Sequence, residues 1–254
     1  KVYKSSLYAL LAKLQRREVG FAALGEEEKH DLQVWTNFLA DKDSWLPIAH
    51  PHRYPPLRYA CFSSDAAGAG TGTGKVGCGS VGFDTMGCVS YAYQLFWPED
   101  MMLFSTDEKG AKLGSKSTTL EMLGMLLPFI TAPDLVRGQY VVLRVDNLSC
   151  LFGWENRQVT GDKMASLMVK ALHLICAYLE CEVHVDHLPR MSSWDAELVD
   201  RLSRERTTTV ADRKLLDSFN WPEIPNSLRR WLDSPSEDYR FPYELLEDVI
   251  CMTY

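Results

Sequence analysis

Four acidic residues from distant parts of the chain have the types and positions that a divalent-metal site requires. They are Asp65, Glu121, Asp146 and Asp200. The first ends a strand-like run, the second lies in an apolar helical segment, the third follows an apolar strand and the fourth lies in a short helical segment. Side chains at strand ends can converge although they are far apart in sequence. Four converging carboxylates would form a cage of hard oxygen ligands that suits Mg²⁺ or Mn²⁺.

Each of these acids also has an ordinary explanation when it is taken alone. An Asp at the end of a strand commonly belongs to a turn. Glu121, which the pattern places in the first turn of its helix, would complement the helix dipole. Asp200 could be an exposed helical residue that pairs with Arg201 or Arg204. The four together, in this order, favour the metal cage, with Asp195 as an alternative fourth ligand.

Hydrophobic periodicity predicts the elements that would hold these carboxylates. Strands are indicated where apolar residues are continuous or alternate, and helices where they recur with helical spacing. The predicted strands are 58–65, 76–83, 87–96, 140–146 and 181–186, and the predicted helices are 117–130, 162–180 and 196–204. Their order, β-β-β-α-β-α-β-α, is typical of a mixed five-stranded α/β sheet with helices on its faces.

Two flanking regions differ in composition from the predicted sheet domain, 58–205. Residues 1–57 form a predicted helical extension, with apolar stripes at 7–14 and 26–39. This extension ends in a Pro- and His-rich stretch, 47–56, which is typical of a boundary. Residues 206–254 are rich in Trp, Phe and Pro, so this C-terminal tail is expected to pack on the domain or on a partner.

The composition restricts the classes of protein to which the chain can belong. Its net charge of −7 argues against a generally basic protein that holds nucleic acid by charge alone, although it does not exclude a metal-dependent nuclease. No apolar run approaches the roughly 18 residues that a membrane span requires, so no membrane association is expected. The odd number of cysteines, seven, in mostly apolar surroundings predicts reduced thiols in an intracellular protein of the nucleus or cytoplasm.

The glycine-rich stretch 68–75 resembles two phosphate-binding motifs without matching either. A P-loop would need Gly in place of Ala69 and Ser or Thr in place of Val76. The spacing of Gly72, Gly74 and Gly77 fits a dinucleotide-binding fingerprint, but that motif must precede a helix and here a strand is predicted. The stretch is therefore interpreted as a mobile hairpin loop.

Several short motifs resemble the ribonuclease H domain of retroelement reverse transcriptases, particularly those of DIRS- and Ngaro-like elements. They are Leu120-Glu121 on a helix, Asp146-Asn147 after the central strand, and the stretch 187–204 with its Asp200-Arg201-Leu202-Ser203-Arg204 segment. The resemblance covers about 58–205, and 30–50 loosely resembles the connection before this domain. Ala196 departs from the pattern because the family often has Asn there, and the turn between His187 and Asp200 is longer.

The resemblance implies an activity and a role for individual residues. Asp65, Glu121, Asp146 and Asp200 would hold two Mg²⁺ or Mn²⁺ ions and cut the RNA strand of an RNA–DNA hybrid. His187 would move protons or help release product, although a structural hydrogen bond is an equal alternative for a strand-end His. The residues expected to contact the nucleic acid are Asn147, Arg190, Arg201 and Arg204.

Three functional hypotheses remain open from the sequence. In the first hypothesis, the chain is an active nuclease, either a fragment of a retroelement reverse transcriptase or a host protein derived from one, with the polymerase domain as a partner. In the second, it is a scaffold of the same fold that has lost catalysis and binds a protein partner through 206–254. A third hypothesis is an integrase- or resolvase-like nuclease that acts on DNA. The arginines near the last helix equally fit an ordinary solvated helix face.

Overall fold

The computed structural model describes residues 24–40, 59–68, 74–106, 112–190 and 193–253. The chain divides into two compact units, Lys1–Pro55 and Pro56–Tyr254, and each is described by itself. In the first unit, helix α1 spans Glu26–Ala40, close to the predicted 26–39. The predicted helical stripe at 7–14 and the Pro- and His-rich stretch lie outside the described residues. The proposed division at 57/58 and 205/206 stays a prediction.

The second unit is built on a five-stranded mixed sheet. The strands of the unit are β1 (Tyr59–Ala66), β2 (Gly77–Phe83), β3 (Val89–Phe96), β4 (Phe104–Thr106), β5 (Lys112–Ser115), β6 (Tyr140–Val145) and β7 (Glu182–His187). The sheet has the order β3-β2-β1-β6-β7, while β4 and β5 form a separate antiparallel pair. The pairs β1–β2 and β2–β3 are antiparallel, and β1–β6 and β6–β7 are parallel. The predicted mixed five-stranded α/β fold is thereby confirmed.

Helices cover both faces of the sheet and extend the predicted order. They are α2 (Ser117–Thr131), α3 (Pro133–Val136), α4 (Leu148–Asn156), α5 (Lys163–Tyr178) and α6 (Trp194–Leu202). The predicted order omitted the β4–β5 pair, α3 and α4. With nine residues, α4 offers barely more than two turns of periodicity. Its start depends on a local cap, in which the Asn147 side chain accepts a hydrogen bond from the backbone N–H of Ser149 at 2.8 Å.

The two faces of the sheet carry cores of very different size. Helix α2 is apolar nearly all round and is buried from Thr119 to Thr131, as expected of a helix inside a large core that it shares with α5. Helix α6 contributes instead to a small separate cluster, whose buried members are Val81, Leu198, Val199 and Leu202. The position of α6 therefore depends on few apolar contacts.

Three further helices follow in the region predicted to be an aromatic tail. They are α7 (Val210–Asp217), α8 (Asn226–Asp233) and α9 (Phe241–Met252). Helix α9 packs against α5 and α8, and apolar residues of α8 and α9, including Leu228, Trp231 and Leu245, lie in the main core. Within the described ranges, no helix combines the length and the apolar character needed to cross a bilayer.

The predicted hairpin loop connects β1 to β2, which pair antiparallel. The pairing register places Ala66 opposite Cys78, and the backbone N–H of Ala67 donates to the carbonyl of Gly77 at 2.8 Å. Residues 69–73 lie outside the described residues. The strand that follows the glycines, Gly77–Phe83, agrees with the exclusion of a P-loop and of a dinucleotide-binding turn, since both require a helix at that point.

Candidate metal centre

Strand register brings two of the four predicted carboxylates together. In the parallel pair of β1 and β6, Ser64 lies opposite Val145, so Asp65 and Asp146 follow side by side at the same edge of the sheet. Glu121 reaches this edge from α2, and its Oε2 accepts a hydrogen bond from the backbone N–H of Ala66 at 3.2 Å. Three distant segments therefore deliver their carboxylates to one place.

These three carboxylates form a cluster that can hold a metal ion. Asp65, Glu121 and Asp146 each offer an oxygen, and the three oxygens lie within 4.8 Å of one another. Asp65 and Glu121 are buried. Among the groups that the structure describes, the buried Oδ2 of Asp65 has no hydrogen-bond partner, and Nη1 of Arg204 lies 3.9 Å from it. An unsatisfied buried oxygen beside two further carboxylates fits a hard divalent cation.

The electrostatics of the cluster also favour a bound cation. The pKa of Asp65 is raised, because burial and the nearby charges of Asp146 and Asp200 outweigh the lowering effects of the Ser203 hydroxyl and the Arg204 charge. Burial likewise raises the pKa of Glu121 well above its ordinary value, and the charges of Asp65 and Asp146 add to the effect. Crowded carboxylates repel one another in a medium of low dielectric, and a divalent cation between them removes that repulsion.

Asp200 lies beside the cluster but outside its tightest part. It lines the same cavity as Asp65 and Asp146, together with Ala196 and Val199. Its Oδ1 is 2.6 Å from Nη1 of Arg204, which is one of the two pairings that the sequence allowed. Ala196 contributes no polar group to this cavity. The cluster is therefore three carboxylates with Asp200 as a neighbour that could complete a second set of ligands.

Two of the predicted nucleic-acid-binding arginines lie among these acids. The guanidinium of Arg190 is 3.4 Å from Asp146, 3.7 Å from Asp200 and 3.8 Å from Asp65. Nη1 of Arg204 lies 3.9 Å from Asp65 as well as contacting Asp200. The side chain of Arg190 is 56% exposed, so its guanidinium reaches the acids from solvent. Positive charge thus lies where a metal ion would also be attracted.

Three other predicted site residues have different surroundings. Asn147 caps α4 as described above. His187 is the exposed last residue of β7 and pairs with Val145 across the backbone. Arg201 forms a two-pronged ion pair with Asp212, with distances of 3.0 Å from Nε and 2.9 Å from Nη2. These contacts give Asn147 and Arg201 structural roles, while the proposed functions of all three stay predictions.

The Arg201–Asp212 pair joins α6 to α7 and yields a stability prediction. Asp212 is 5% exposed, and the hydrogen bond from Arg201 lowers its pKa to about 2. We expect Asp212→Asn to lower the free energy of unfolding by about 1.5–3 kcal/mol, the usual contribution of hydrogen bonds to charged groups. Denaturant titrations of both proteins measure this difference.

The pH dependence of that difference has a definite sign. The pKa of Asp212 is lower in the folded chain than the roughly 3.9 of an unfolded Asp, so its contribution is complete above pH 4. The contribution is lost as the pH falls from 4 towards 2. A difference between wild type and Asp212→Asn that stays constant from pH 6 to pH 2.5 would contradict the assigned ion pair.

Three features of the site differ from the sequence analysis or go beyond it. The predicted position of Glu121 in the first turn of its helix is wrong: Glu121 is the fifth residue of α2, so the helix dipole does not explain it. Asp195, considered as an alternative ligand, accepts hydrogen bonds from Ser63 and Ser193 and pairs with Arg144 at 2.7 Å. It lies outside the group of three, among the described residues, that could hold a metal.

A third unpredicted feature is the close approach of α6 to the sheet at Gly79. Gly79 lies opposite Asp65 in the pairing of β1 with β2. A Cβ at this position would overlap the Cβ of Leu202 and lie 3.0 Å from the carbonyl oxygen of Val199. The glycine-rich composition around it was the available signal, but the sequence does not say which glycine faces a helix.

Comparisons with known proteins give limited similarity. No protein-family model matches the chain, and no curated protein sequence matches it. The solved structures that resemble it include the N-terminal RNase H domain of Rv2228c from Mycobacterium tuberculosis, determined as a fusion with maltose binding protein. That likeness has 12% identity and a TM-score of 0.42, covering 57% of this chain and 95% of that one.

A second resemblance is to LC11-RNase H1, isolated from compost by a metagenomic approach. Its structure is 13% identical, with a TM-score of 0.39, over 62% of this chain and 97% of that one. Its complex with an RNA/DNA hybrid is 12% identical, with a TM-score of 0.38, over 55% and 92%. Because these sequence identities and TM-scores are low, the assignment of the fold in this chain rests on its strand order. The assignment of the site rests on its geometry.

Proposed function

We propose that this chain is a metal-dependent endoribonuclease of the ribonuclease H type, which hydrolyses the RNA strand of RNA–DNA hybrids. The single observation that carries the proposal is the convergence of Asp65, Glu121 and Asp146 within 4.8 Å, with the buried Oδ2 of Asp65 lacking a described hydrogen-bond partner. Nη1 of Arg204 lies 3.9 Å from this oxygen, too far for a hydrogen bond, so the oxygen keeps a lone pair that a metal ion could use.

In this proposal, the protein's own residues hold and orient the reactants. Asp65, Glu121 and Asp146 would hold one Mg²⁺ or Mn²⁺ ion, and Asp65 with Asp200 would hold a second. A pair of such ions supplies stabilisation of the attacking and leaving oxygens of a phosphodiester. Arg190, displaced from the acids, would contact a phosphate from the solvent side. His187 would accept or donate a proton near the exposed end of β7.

The biological context follows from the sequence resemblance alone. We infer that the chain is part of a retroelement reverse transcriptase or a host protein derived from one, because the Asp146-Asn147 and Asp200–Arg204 motifs resemble those of DIRS- and Ngaro-like elements. The polymerase domain of such an element would be its partner. The metal-dependent cleavage proposed for the site does not depend on this biological context.

A cleavage assay tests the proposed function. Three labelled duplexes of identical sequence, an RNA–DNA hybrid, an RNA duplex and a DNA duplex, are incubated with the protein in Mg²⁺, in Mn²⁺ and in EDTA. We expect cleavage of the RNA strand of the hybrid only, and only with metal. Preferential cutting of the DNA duplex would instead support an integrase- or resolvase-like nuclease. No cleavage of any duplex by folded protein would contradict the proposal.

The contacts of Arg190 and Arg204 favour a second candidate function. Together these two arginines already contact Asp65, Asp146 and Asp200, and an ion-pair network of this kind can replace a metal. The fold would then serve as a scaffold with catalysis lost. Thermal unfolding distinguishes the two, since a nuclease with a metal site is stabilised by Mn²⁺ and a closed ion-pair network is not.

A further inference from the structure

Asp195, on α6, accepts hydrogen bonds from β1, from β6 and from the residue that precedes its own helix. Its Oδ2 accepts from Oγ of Ser63 on β1 at 2.5 Å and from Nη1 of Arg144 on β6 at 2.7 Å. Its Oδ1 accepts from Oγ of Ser193, which immediately precedes α6, at 2.5 Å. Asp195 itself is on α6 and is 5% exposed. One buried carboxylate therefore links β1, β6 and α6.

The positions of its partners relate directly to the metal cluster. Ser63 and Arg144 lie opposite each other in the parallel register of β1 and β6. Each stands two residues before an acid of the site, Ser63 before Asp65 and Arg144 before Asp146. Because side chains alternate along a strand, a residue two positions earlier faces the same side of the sheet. On both strands, the residue that binds Asp195 therefore lies two positions before the metal ligand and on the same side of the sheet.

The same carboxylate is connected to Asp200 through a short rigid helix. Asp200 follows Asp195 by five residue positions on the same α-helix, roughly 7.5 Å along the axis. The far end of α6 is fixed by backbone hydrogen bonds, because the N–H of Gly77 donates to the carbonyl of Ser203 at 2.8 Å. The N–H of Glu205 likewise donates to the carbonyl of Lys75 at 2.9 Å. The near end is fixed by Asp195, and Asp200 lies between the two attachments.

Few other contacts compete with this attachment. The apolar cluster that α6 joins has four buried residues and four partly buried ones among the described residues, far fewer than the core on the other face of the sheet. Both oxygens of Asp195 are occupied by donors, so it is not free to act as a ligand. Its pKa is lowered, since the hydrogen bonds from Ser193 and Ser63 and the charge of Arg144 outweigh the raising effect of burial.

We propose that Asp195 is a positioning residue, which sets the distance of Asp200 from Asp65 and Asp146 by binding Ser63, Arg144 and Ser193 at once. The inference rests on the proposed function, because it concerns the completion of the same metal site. It differs from the expectation that Asp195 replaces Asp200 as a ligand. Asp195 acts through the helix and touches no metal or substrate.

The test compares Asp195→Asn with two other variants of the full chain. Asp212→Asn is the matched control, since it breaks the other buried Asp–Arg pair of α6 without touching β1 or β6. Ser63→Ala removes one of the three donors. For each protein, the affinity for Mn²⁺ is measured by electron paramagnetic resonance. A titration gives the Mn²⁺ concentration at which hybrid cleavage is half-maximal, and denaturant unfolding gives the free energy of unfolding.

We expect Asp195→Asn to weaken the second Mn²⁺ and to raise the half-maximal Mn²⁺ concentration about 10- to 100-fold, as changes around metal ligands commonly do. Ser63→Ala should give a smaller shift in the same direction. Asp212→Asn should lose stability and keep the wild-type Mn²⁺ dependence. Equal Mn²⁺ dependence in Asp195→Asn and Asp212→Asn would overturn the positioning role, since both would then act only through stability.

A structural readout separates this inference from the proposed function. If the wild-type protein neither binds Mn²⁺ nor cuts the hybrid, the proposed function fails, and crystal structures of wild type and Asp195→Asn decide the remaining point. A displacement of Asp200 from Asp65 by about 1 Å or more would support positioning, because a shift of this size impairs a reacting geometry. An unchanged position of Asp200 would overturn it.

Discussion

Replacing Asp146 with Asn should abolish cleavage of an RNA–DNA hybrid, lowering kcat by at least about 10³-fold, while the protein stays folded. The loss follows because a ligand of a divalent ion contributes several kcal/mol of transition-state stabilisation and each 1.36 kcal/mol is tenfold in rate. Steady-state cleavage of a labelled hybrid in Mg²⁺ measures the loss. The change from carboxylate to amide preserves shape, so a structural cause is not expected.

Measuring the stability of Asp146→Asn distinguishes a loss of metal binding from a loss of folding. The charge of Asp146 raises the pKa values of both Asp65 and Glu121, which shows that it repels them. Removing that charge relieves this repulsion but also removes a partner of the exposed Arg190 at 3.4 Å, so the metal-free free energy of unfolding should change by less than about 1 kcal/mol. The stabilisation that Mn²⁺ provides should weaken. A variant that cleaves at the wild-type rate would refute the assignment of Asp146, and one that simply unfolds would refute its role as a charged ligand.

A suitable control for this variant is Asp186→Asn. Asp186 lies on the adjacent strand β7 and is paired with exposed His184 at 3.0 Å. It is outside the carboxylate cluster, as far as the structure describes it. The control variant should therefore cut the hybrid at the wild-type rate. A comparable loss in both variants would point to a general effect of surface charge on nucleic-acid binding.

The second large effect is expected from Gly79→Ala. The added Cβ would overlap the Cβ of Leu202, so α6 must move away from β2 or β2 must bend. Overpacking of this kind costs about 1–3 kcal/mol of unfolding free energy. Since Asp200 lies between the contacts of Val199 and Leu202 with Gly79, its displacement should also reduce cleavage by about 10²-fold. Denaturant unfolding and hybrid cleavage measure the two effects.

Gly124→Ala is the matched control for that substitution. Gly124 is on α2, and a Cβ there would lie 3.6 Å from Cys78 and 3.7 Å from Ser64, at ordinary van der Waals distances. In a helix, this exchange should stabilise the protein by roughly 0.5–1 kcal/mol. If Gly79→Ala were tolerated as well as Gly124→Ala, the close approach of α6 to the sheet would be wrong.

The fold could be predicted from the sequence where periodicity was long enough. Strand β6 is a nearly continuous apolar run interrupted by Arg144, and α5 carries an apolar face over four turns, so both were recognisable. Helix α4 was not, because nine residues contain little periodicity and its start depends on the Asn147 cap. The short strands β4 and β5 contain three and four residues, too few to show an alternating pattern.

The candidate site was predictable in its residue types but not in its connections. Asp65 lies at the end of β1 and Asp146 directly follows β6, so their convergence could be anticipated from parallel pairing. The partners of Asp195 could not, since Ser63 and Arg144 are far away in sequence and meet it only after three elements assemble. The same holds for Arg190, which lies far in sequence from Asp65 and Asp146 and contacts both.

The most direct test of the metal centre is a crystal soaked in Mn²⁺ and measured at the manganese absorption edge. We predict an anomalous peak bound by carboxylate oxygens of Asp65, Glu121 and Asp146 at about 2.0–2.3 Å, with Arg190 displaced from the acids. A second peak between Asp65 and Asp200 is expected when a hybrid is also bound. The absence of any peak, with Arg190 retained beside Asp146 at millimolar Mn²⁺, would contradict the metal centre.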